Sequence, residues 1–125
     1  MPGYPAYAAR WVEHNVTPKT GRLINEYDWG GYLGWRLGPR FKVLLDGRTN
    51  VYPPEFWRKT YFGSYEELTE LLESVNADAA LLPVGGRFQS ALELRHWQVV
   101  FMNRRAVVMI PPKTMPATGT SDPER

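Results

Sequence analysis

The chain of 125 residues contains no cysteine. This excludes a disulfide framework, a thiol nucleophile and every metal site that depends on thiolate ligands. The sequence also lacks an apolar run of the roughly 18–20 residues that a membrane-spanning helix requires. Its first ten residues have neither the basic start nor the apolar stretch of a signal peptide. With 43% hydrophobic and 22% charged residues, the composition is typical of one globular domain with a single core.

Acidic charge is concentrated in one segment. Residues 64–80 carry four glutamates, one aspartate and no basic residue, although the whole chain has a net charge of +2. Such a run usually forms the solvated face of a helix, and Ser64 with Glu67 fits the capping box that begins one. Nucleic-acid binding would require clustered Lys and Arg with interleaved aromatic residues, and no stretch of the sequence has this pattern. We therefore expect no nucleic-acid partner.

The order of the secondary-structure signals predicts an α/β fold. Helical patterns cover residues 4–14, 29–37, 54–61, 64–75 and 88–94. Strand patterns cover residues 22–26, 41–45, 79–84, 97–102 and 105–110. Alternation of this kind favours parallel β-α-β units. The sequence predicts a small three-layer sheet of about five strands, three parallel plus a C-terminal antiparallel hairpin. Residues 1–112 would form this single α/β domain, and residues 113–125, rich in Thr, Pro and Ser, a disordered tail.

The predicted helix at residues 29–37 contains an unusual number of glycines. Gly30, Gly31 and Gly34 each cost about 1 kcal/mol relative to alanine in a helix. They permit either close packing of the helix on the sheet or close approach of a ligand to backbone N–H groups, and packing is the favoured interpretation. The pattern is not G-x-G-x-x-G and no Walker lysine follows, so a nucleotide site is unsupported.

Polar residues follow the predicted parallel strands at the points where those strands end. Because ligands of open α/β sheets bind beyond the carboxyl ends of the strands, these residues form the best candidate site. The residues predicted to bind a ligand are Asn25, Tyr27, Asp28 and Trp29 after the first strand, and Asp46 and Arg48 after the second. Residues 83–86 would complete the same edge. A purely structural interpretation remains open: Asp28 caps the next helix, and Asp46 pairs with Arg48 or holds its turn.

The sequence offers no strong catalytic or metal motif. His14 and His96 lack the spacing of a zinc site, and no G-x-S-x-G nucleophile elbow exists. Glu26, Asp28 and Asp46 could share a divalent cation, as in metal-dependent hydrolases or nucleases, but the lysine that usually accompanies such carboxylates does not follow Asp46. We therefore predict no catalytic residue, no metal and no cofactor, and keep the metal-dependent hydrolase or nuclease as an alternative.

Two segments carry a resemblance to a known class of protein. Residues 25–35 (NEYDWGGYLGW) and 42–48 (KVLLDGR) resemble the C-terminal region of large bacterial multi-spanning membrane proteins. Those proteins are similar to lipid-carrier-dependent glycosyltransferases of the GT-C type. The likeness extends to residues 9–11, 81–83 and 97–108, and so spans about residues 4–110.

A weaker likeness reaches the catalytic subunit of oligosaccharyltransferase. The extracytoplasmic domain of that subunit has a W-W-D-Y-G motif at a strand-to-helix junction, where it helps to recognise the acceptor peptide. In this chain YDWG at residues 27–30 occupies a comparable junction in a different residue order.

The resemblance implies a non-catalytic accessory or ligand- and acceptor-binding domain on the extracytoplasmic side of the cell membrane. In GT-C enzymes the catalytic carboxylates and the metal lie in loops of the membrane part, so this domain would not turn over substrate alone. The partners implied are the membrane-embedded part of the same parent protein and a sugar or peptide acceptor. The main alternative is a purely structural interaction domain that packs on that membrane part.

Overall fold

The computed structural model describes residues 4–26, 29–44, 58 and 60–112. Within these ranges the chain forms four helices of eight to ten residues and five strands. The helices are α1 (Ala6–Asn15), α2 (Gly30–Leu37), α3 (Tyr65–Ser74) and α4 (Arg87–Leu94). The strands are β1 (Arg22–Asn25), β2 (Lys42–Val43), β3 (Ala79–Pro83), β4 (Gln98–Met102) and β5 (Ala106–Ile110).

The five strands form one mixed sheet in the order β2-β1-β3-β5-β4. β1 is parallel to both β2 and β3, whereas β5 is antiparallel to β3 and to β4. The turn of the β4–β5 hairpin is closed by Asn103, whose Oδ1 accepts hydrogen bonds from the backbone N–H groups of Arg105 and Ala106 at 2.9 and 2.8 Å. The predicted α/β fold, with three parallel strands and a C-terminal antiparallel hairpin, is confirmed.

Helices cover both faces of the sheet. Leu23 and Leu81 point towards α1 and α2, while the neighbouring Ile24 and Leu82 point towards α3 and α4. All four side chains are fully buried, because successive residues of a strand face opposite sides. This arrangement produces the predicted three layers. In the described part of the chain, every helix is too short or too polar to cross a bilayer.

Helix α3 begins at the predicted capping box. Ser64 Oγ accepts a hydrogen bond from the Glu67 N–H, and the Glu67 carboxylate accepts one from the Ser64 N–H, both at 3.1 Å. Leu68 and Leu72 then lie on the buried side. The chain leaves the helix at Asn76, which has a positive φ of 57°.

Two expectations for the segment around α2 and β2 need correction. β2 has only two residues rather than the five predicted at 41–45, because it is an edge strand that pairs with β1 alone and Phe41 instead packs in the core beside α2. Close packing does not explain Gly31, since a Cβ built there would meet no atom within 4 Å. Gly30, in contrast, is buried.

Some predicted segments lie wholly or mostly outside the described residues. These are the tail at 113–125 and most of the helix predicted at 54–61, of which residues 58, 60 and 61 are helical.

Candidate functional site at the carboxyl edge

The parallel strands β1, β2 and β3 end at the same edge of the sheet. Leu23 lies opposite Val43, and the Leu44 N–H donates to the Leu23 carbonyl at 3.0 Å, so β1 and β2 run in parallel towards this edge. On the other side of β1, Asn25 lies opposite Leu81 of β3. We call this edge the carboxyl edge. Its described residues are Asn25, Glu26, Trp29, Leu44 and residues 83–86.

One carbonyl oxygen organises the turn from β1 into α2. The Glu26 carbonyl accepts hydrogen bonds from Asn25 Nδ2 at 2.9 Å and from the Trp29 N–H at 3.3 Å. Asn25 is 0% exposed and Trp29 is 8% exposed, so both side chains pack inside the domain. Their buried position suits them to hold the shape of this turn rather than to meet a ligand with much of their surface.

The Glu26 carboxylate reaches across to the turn that follows β3. Its Oε2 atom is buried, and a Cβ built on Gly86 would lie only 2.8 Å from it. A contact this short would force the side chain or the turn to move. The glycine therefore allows the carboxylate of Glu26 to lie against the backbone that leads into α4.

The turn after β3 has a second requirement for glycine. Gly85 adopts a positive φ of 82°, which side-chain-bearing residues rarely adopt. Its N–H donates a hydrogen bond of 2.7 Å to Oε1 of Gln89, a residue that is 8% exposed. The first turn of α4 thus fixes the backbone on one side of the carboxyl edge.

Arg87 fastens the segment before α3 to the start of α4. Its guanidinium donates to the carbonyl of Thr60 at 3.2 Å and to the carbonyl of Gly63, and it lies over the Tyr65 ring at 5.2 Å from the centroid. A positive charge is unfavourable at a helix N-terminus, so these acceptors compensate for its position.

The structure brings together two of the predicted site residues, Asn25 and Trp29. Tyr27, Asp28, Asp46 and Arg48 lie outside the described residues. The predicted cap at Asp28 needs correction: the α2 N-cap residue is Trp29, and its indole has no oxygen with which to cap the helix. Within the described ranges, no three His, Asp or Glu side chains come close enough to hold a metal ion.

Sequence reasoning missed a carboxylate at the opposite, amino edge of the sheet. Asp78 accepts hydrogen bonds at 2.9 Å from the backbone N–H groups of Lys19, Thr20 and Gly21. Burial raises the pKa of Asp78, but the hydrogen bonds from Thr20, Lys19 and Gly21 outweigh it, so the pKa lies below its ordinary value. Asp78 was hidden in the sequence because its partners lie 57 to 59 residues away.

The same amino edge borders a cleft of about 920 Å³. It lies between the end of α1, the loop before β1 and the residues after β5. Residues that line it include Trp11, Asn15, Lys19, Asp78, Trp97 and Pro111. The Asp78 carboxylate already accepts the three backbone hydrogen bonds of the loop, so its contribution to this cleft is structural.

Comparison with protein-family models found no match, and no similarity to a curated protein or to a solved structure was detected. The resemblance drawn from residues 25–35 and 42–48 therefore stays a prediction.

Proposed function

We propose that this chain is a non-catalytic binding domain whose ligand or partner docks at the carboxyl edge. Consistent with the resemblance of residues 25–35 and 42–48, the domain would belong to a glycosyltransferase-like membrane protein and lie on the extracytoplasmic side. Its ligand would be a sugar or peptide acceptor. Turnover would reside in the membrane-embedded part of that parent.

The parallel pairing of β1 with β2 is the observation that carries this proposal. It is the arrangement in which groups that follow both strands meet at one edge, as ligand sites of open α/β sheets require. Short connections strengthen the argument. Trp29 follows Asp28 directly and Leu44 precedes Asp46 by two residues, and a residue adds at most about 3.6 Å of chain length.

The proposed roles divide between residues that hold the turn and residues that contact the ligand. Asn25 and Trp29 are positioning residues, since both are buried. The Asn25 side-chain amide and the Trp29 N–H both donate hydrogen bonds to the Glu26 carbonyl. Direct contact with the ligand is assigned to Tyr27, Asp28, Asp46 and Arg48. A site with two carboxylates, a guanidinium and a phenol favours a ligand that carries several hydroxyl or amide groups over an apolar one.

The test is a titration of the full chain with soluble glycans, acceptor peptides and lipid-linked sugars, followed by amide chemical shifts. We expect saturable shifts at the carboxyl edge, centred on Glu26, Trp29 and Gly86. Asp28→Ala and Asp46→Ala should each weaken the binding at least about tenfold, the loss of one charge-assisted hydrogen bond. Glu70→Gln removes an exposed carboxylate from α3 and serves as the matched control.

A purely structural interaction domain is the competing function. It predicts that Asp28→Ala lowers the free energy of unfolding by about 0.5–2 kcal/mol, as a structurally required residue would, without altering any titration. Saturable binding that is unchanged in both aspartate variants would dismiss the proposed site. Heat released on addition of Mg²⁺, Mn²⁺ or Ca²⁺, and lost in the Glu26→Gln variant, would instead support the hydrolase or nuclease.

A further inference from the structure

The outer surface of α1 and α2 forms one continuous face. The two helices lie side by side with their N-terminal ends together, because the Tyr4 ring stacks on the Tyr32 ring at 4.8 Å and an interplanar angle of 10°. Near their C-terminal ends, Glu13 and Arg36 form an ion pair of 3.0 Å. We call this surface the α1/α2 face. Its outward residues are Tyr7, Arg10, Tyr32, Trp35, Arg36 and Arg40.

Large aromatic side chains on this face are exposed. Trp35 is 77% exposed and Tyr7 is 72% exposed, and the Tyr32 ring lies 6.3 Å from that of Trp35. Exposure of such rings leaves a large apolar area in water. Trp and Tyr are the residues enriched where a protein meets the boundary between lipid head groups and acyl chains.

The charge of this face is positive and that of the opposite face is negative. In the described residues of α1, α2 and the turn that follows α2, three arginines stand against the single acid Glu13. Glu13 accepts two hydrogen bonds from Arg36 at 3.0 and 3.1 Å, and its backbone carbonyl accepts one from Arg40 at 3.2 Å. With three arginines and this one acid, the face keeps a surplus of positive charge. On the other side of the sheet, α3 carries four glutamates and no basic residue. Glu67 pairs with Arg58 and Glu73 with Arg95, both at 2.9 Å, and the exposed Glu66 and Glu70 keep the outer side of α3 negative.

We infer that the α1/α2 face docks on the surface of a bilayer that contains anionic lipids. Arg10 and Arg40 attract the lipid phosphates, and the Trp35 and Tyr7 rings enter the head-group region. The glutamates of α3 then face away from the membrane, so the charge distribution selects one orientation. This inference uses no residue of the carboxyl edge and does not depend on the proposed ligand site.

Charge favours lipid over a neutral sugar as the occupant of this face. An exposed Trp35 ring could also stack on a saccharide, but a neutral saccharide gains nothing from the surplus of arginines. An anionic bilayer suits both the exposed aromatic rings and the surplus of arginines. Each arginine near its surface contributes about fivefold to the binding constant.

The test is co-sedimentation of the full chain with vesicles. One set contains phosphatidylcholine alone, and the other contains about one-third phosphatidylglycerol. The decisive variant is the double substitution Arg10→Glu with Glu70→Arg, which moves positive charge from the α1/α2 face to α3 and keeps the net charge of +2. Trp35→Ala tests the aromatic contribution. Phe62→Ala is its control, since Phe62 is 84% exposed and neighbours Tyr61, whose ring lies beside Phe88 of α4.

We expect binding to the anionic vesicles that weakens with added salt and exceeds binding to phosphatidylcholine at least tenfold. The charge-relocated variant should bind at least fivefold more weakly, Trp35→Ala should also lose binding, and Phe62→Ala should bind like the unchanged chain. Circular dichroism confirms that each variant is folded. Equal binding to both vesicle types, or full binding by the charge-relocated variant, overturns the inference. A soluble neutral oligosaccharide that binds through Trp35 in the absence of vesicle binding also overturns it.

Discussion

Leu23 of β1 lies opposite Val43 of β2, and the two strands run in the same direction. The chain therefore leaves both strands at one edge, through Glu26 after β1 and Leu44 after β2. On the other side of β1, the Glu26 carboxylate lies against Gly86 of the turn after β3. Three separate segments thus meet at the carboxyl edge, and this convergence supports the proposed binding function.

Substitution of Gly31 should stabilise the domain. A Cβ at this exposed position meets no atom within 4 Å, so Gly31→Ala keeps all contacts and gains helix propensity, about 0.5–1 kcal/mol. Gly38→Ala should instead lower the stability of the domain, because its Cβ would lie 2.6 Å from the Gly34 carbonyl oxygen. Urea unfolding measures both. An unchanged or lower stability of Gly31→Ala would show that this glycine has a role that the open space around it does not reveal.

Substitution of Gly86 should act through Glu26. Gly86→Ala places a Cβ 2.8 Å from Glu26 Oε2, the end of a flexible side chain, and we expect it to displace the carboxylate and lower the free energy of unfolding by about 0.5–1.5 kcal/mol. In a double-mutant cycle, Glu26→Ala should remove most of this cost because the clashing atom is gone. Additive effects of the two substitutions would contradict the close approach of these residues.

Asp78 should make stability depend on acid pH. Hydrogen bonds from Thr20, Lys19 and Gly21 hold the pKa of Asp78 below 3.8, its value in an unfolded chain. Its contribution is therefore complete above about pH 4 and is lost as the pH falls through the lower pKa of the folded state. At pH 7, Asp78→Asn should cost on the order of 2 kcal/mol.

The difference in stability between the unchanged chain and Asp78→Asn should shrink as the pH falls below about 4. Denaturant unfolding at a series of pH values measures it, and the exposed Glu70→Gln serves as a control for general acid effects. A difference that stays constant from pH 7 to pH 2 would contradict the role assigned to the Asp78 carboxylate.

Ser64 should contribute as a helix cap. Ser64→Ala removes the oxygen that accepts the Glu67 N–H and should lower the free energy of unfolding by about 0.5–2 kcal/mol. Ser74→Ala removes a hydroxyl from the last turn of the same helix and should stay within about 0.5 kcal/mol of the unchanged chain. Equal effects of the two serine variants would argue against a specific cap.

Local patterns predicted the elements better than the contacts between them. The capping box at Ser64 and the alternation of helices and strands are properties of neighbouring residues, and the structure confirms both. The length of β2 could not be predicted, because it is set by pairing with β1 alone. Asp78 and the Glu26–Gly86 contact join residues more than fifty positions apart, and a single sequence contains no signal for either.

The candidate site shows the same division. The parallel order of β1 and β2 followed from the β-α-β pattern, so the carboxyl edge could be located from sequence. The burial of Asn25 and Trp29 could not be predicted from the sequence, because it depends on how α1 and β3 pack around them. We therefore propose a positioning role for these two residues, and their predicted contact with a ligand stays a prediction.

A spin label can show whether the segments after β1 and β2 share an edge, because a chain without cysteine accepts one label at one chosen position. With a nitroxide on Asp46→Cys, our account predicts the strongest paramagnetic broadening at the amides of Glu26, Trp29 and Gly86, on the carboxyl edge. A label on Lys19→Cys should instead broaden Gly21 and Asp78 at the amino edge. Broadening from the Asp46 label that is strongest at Gly21 and Asp78, or absent from Glu26 and Gly86, would contradict a shared edge and with it the proposed site.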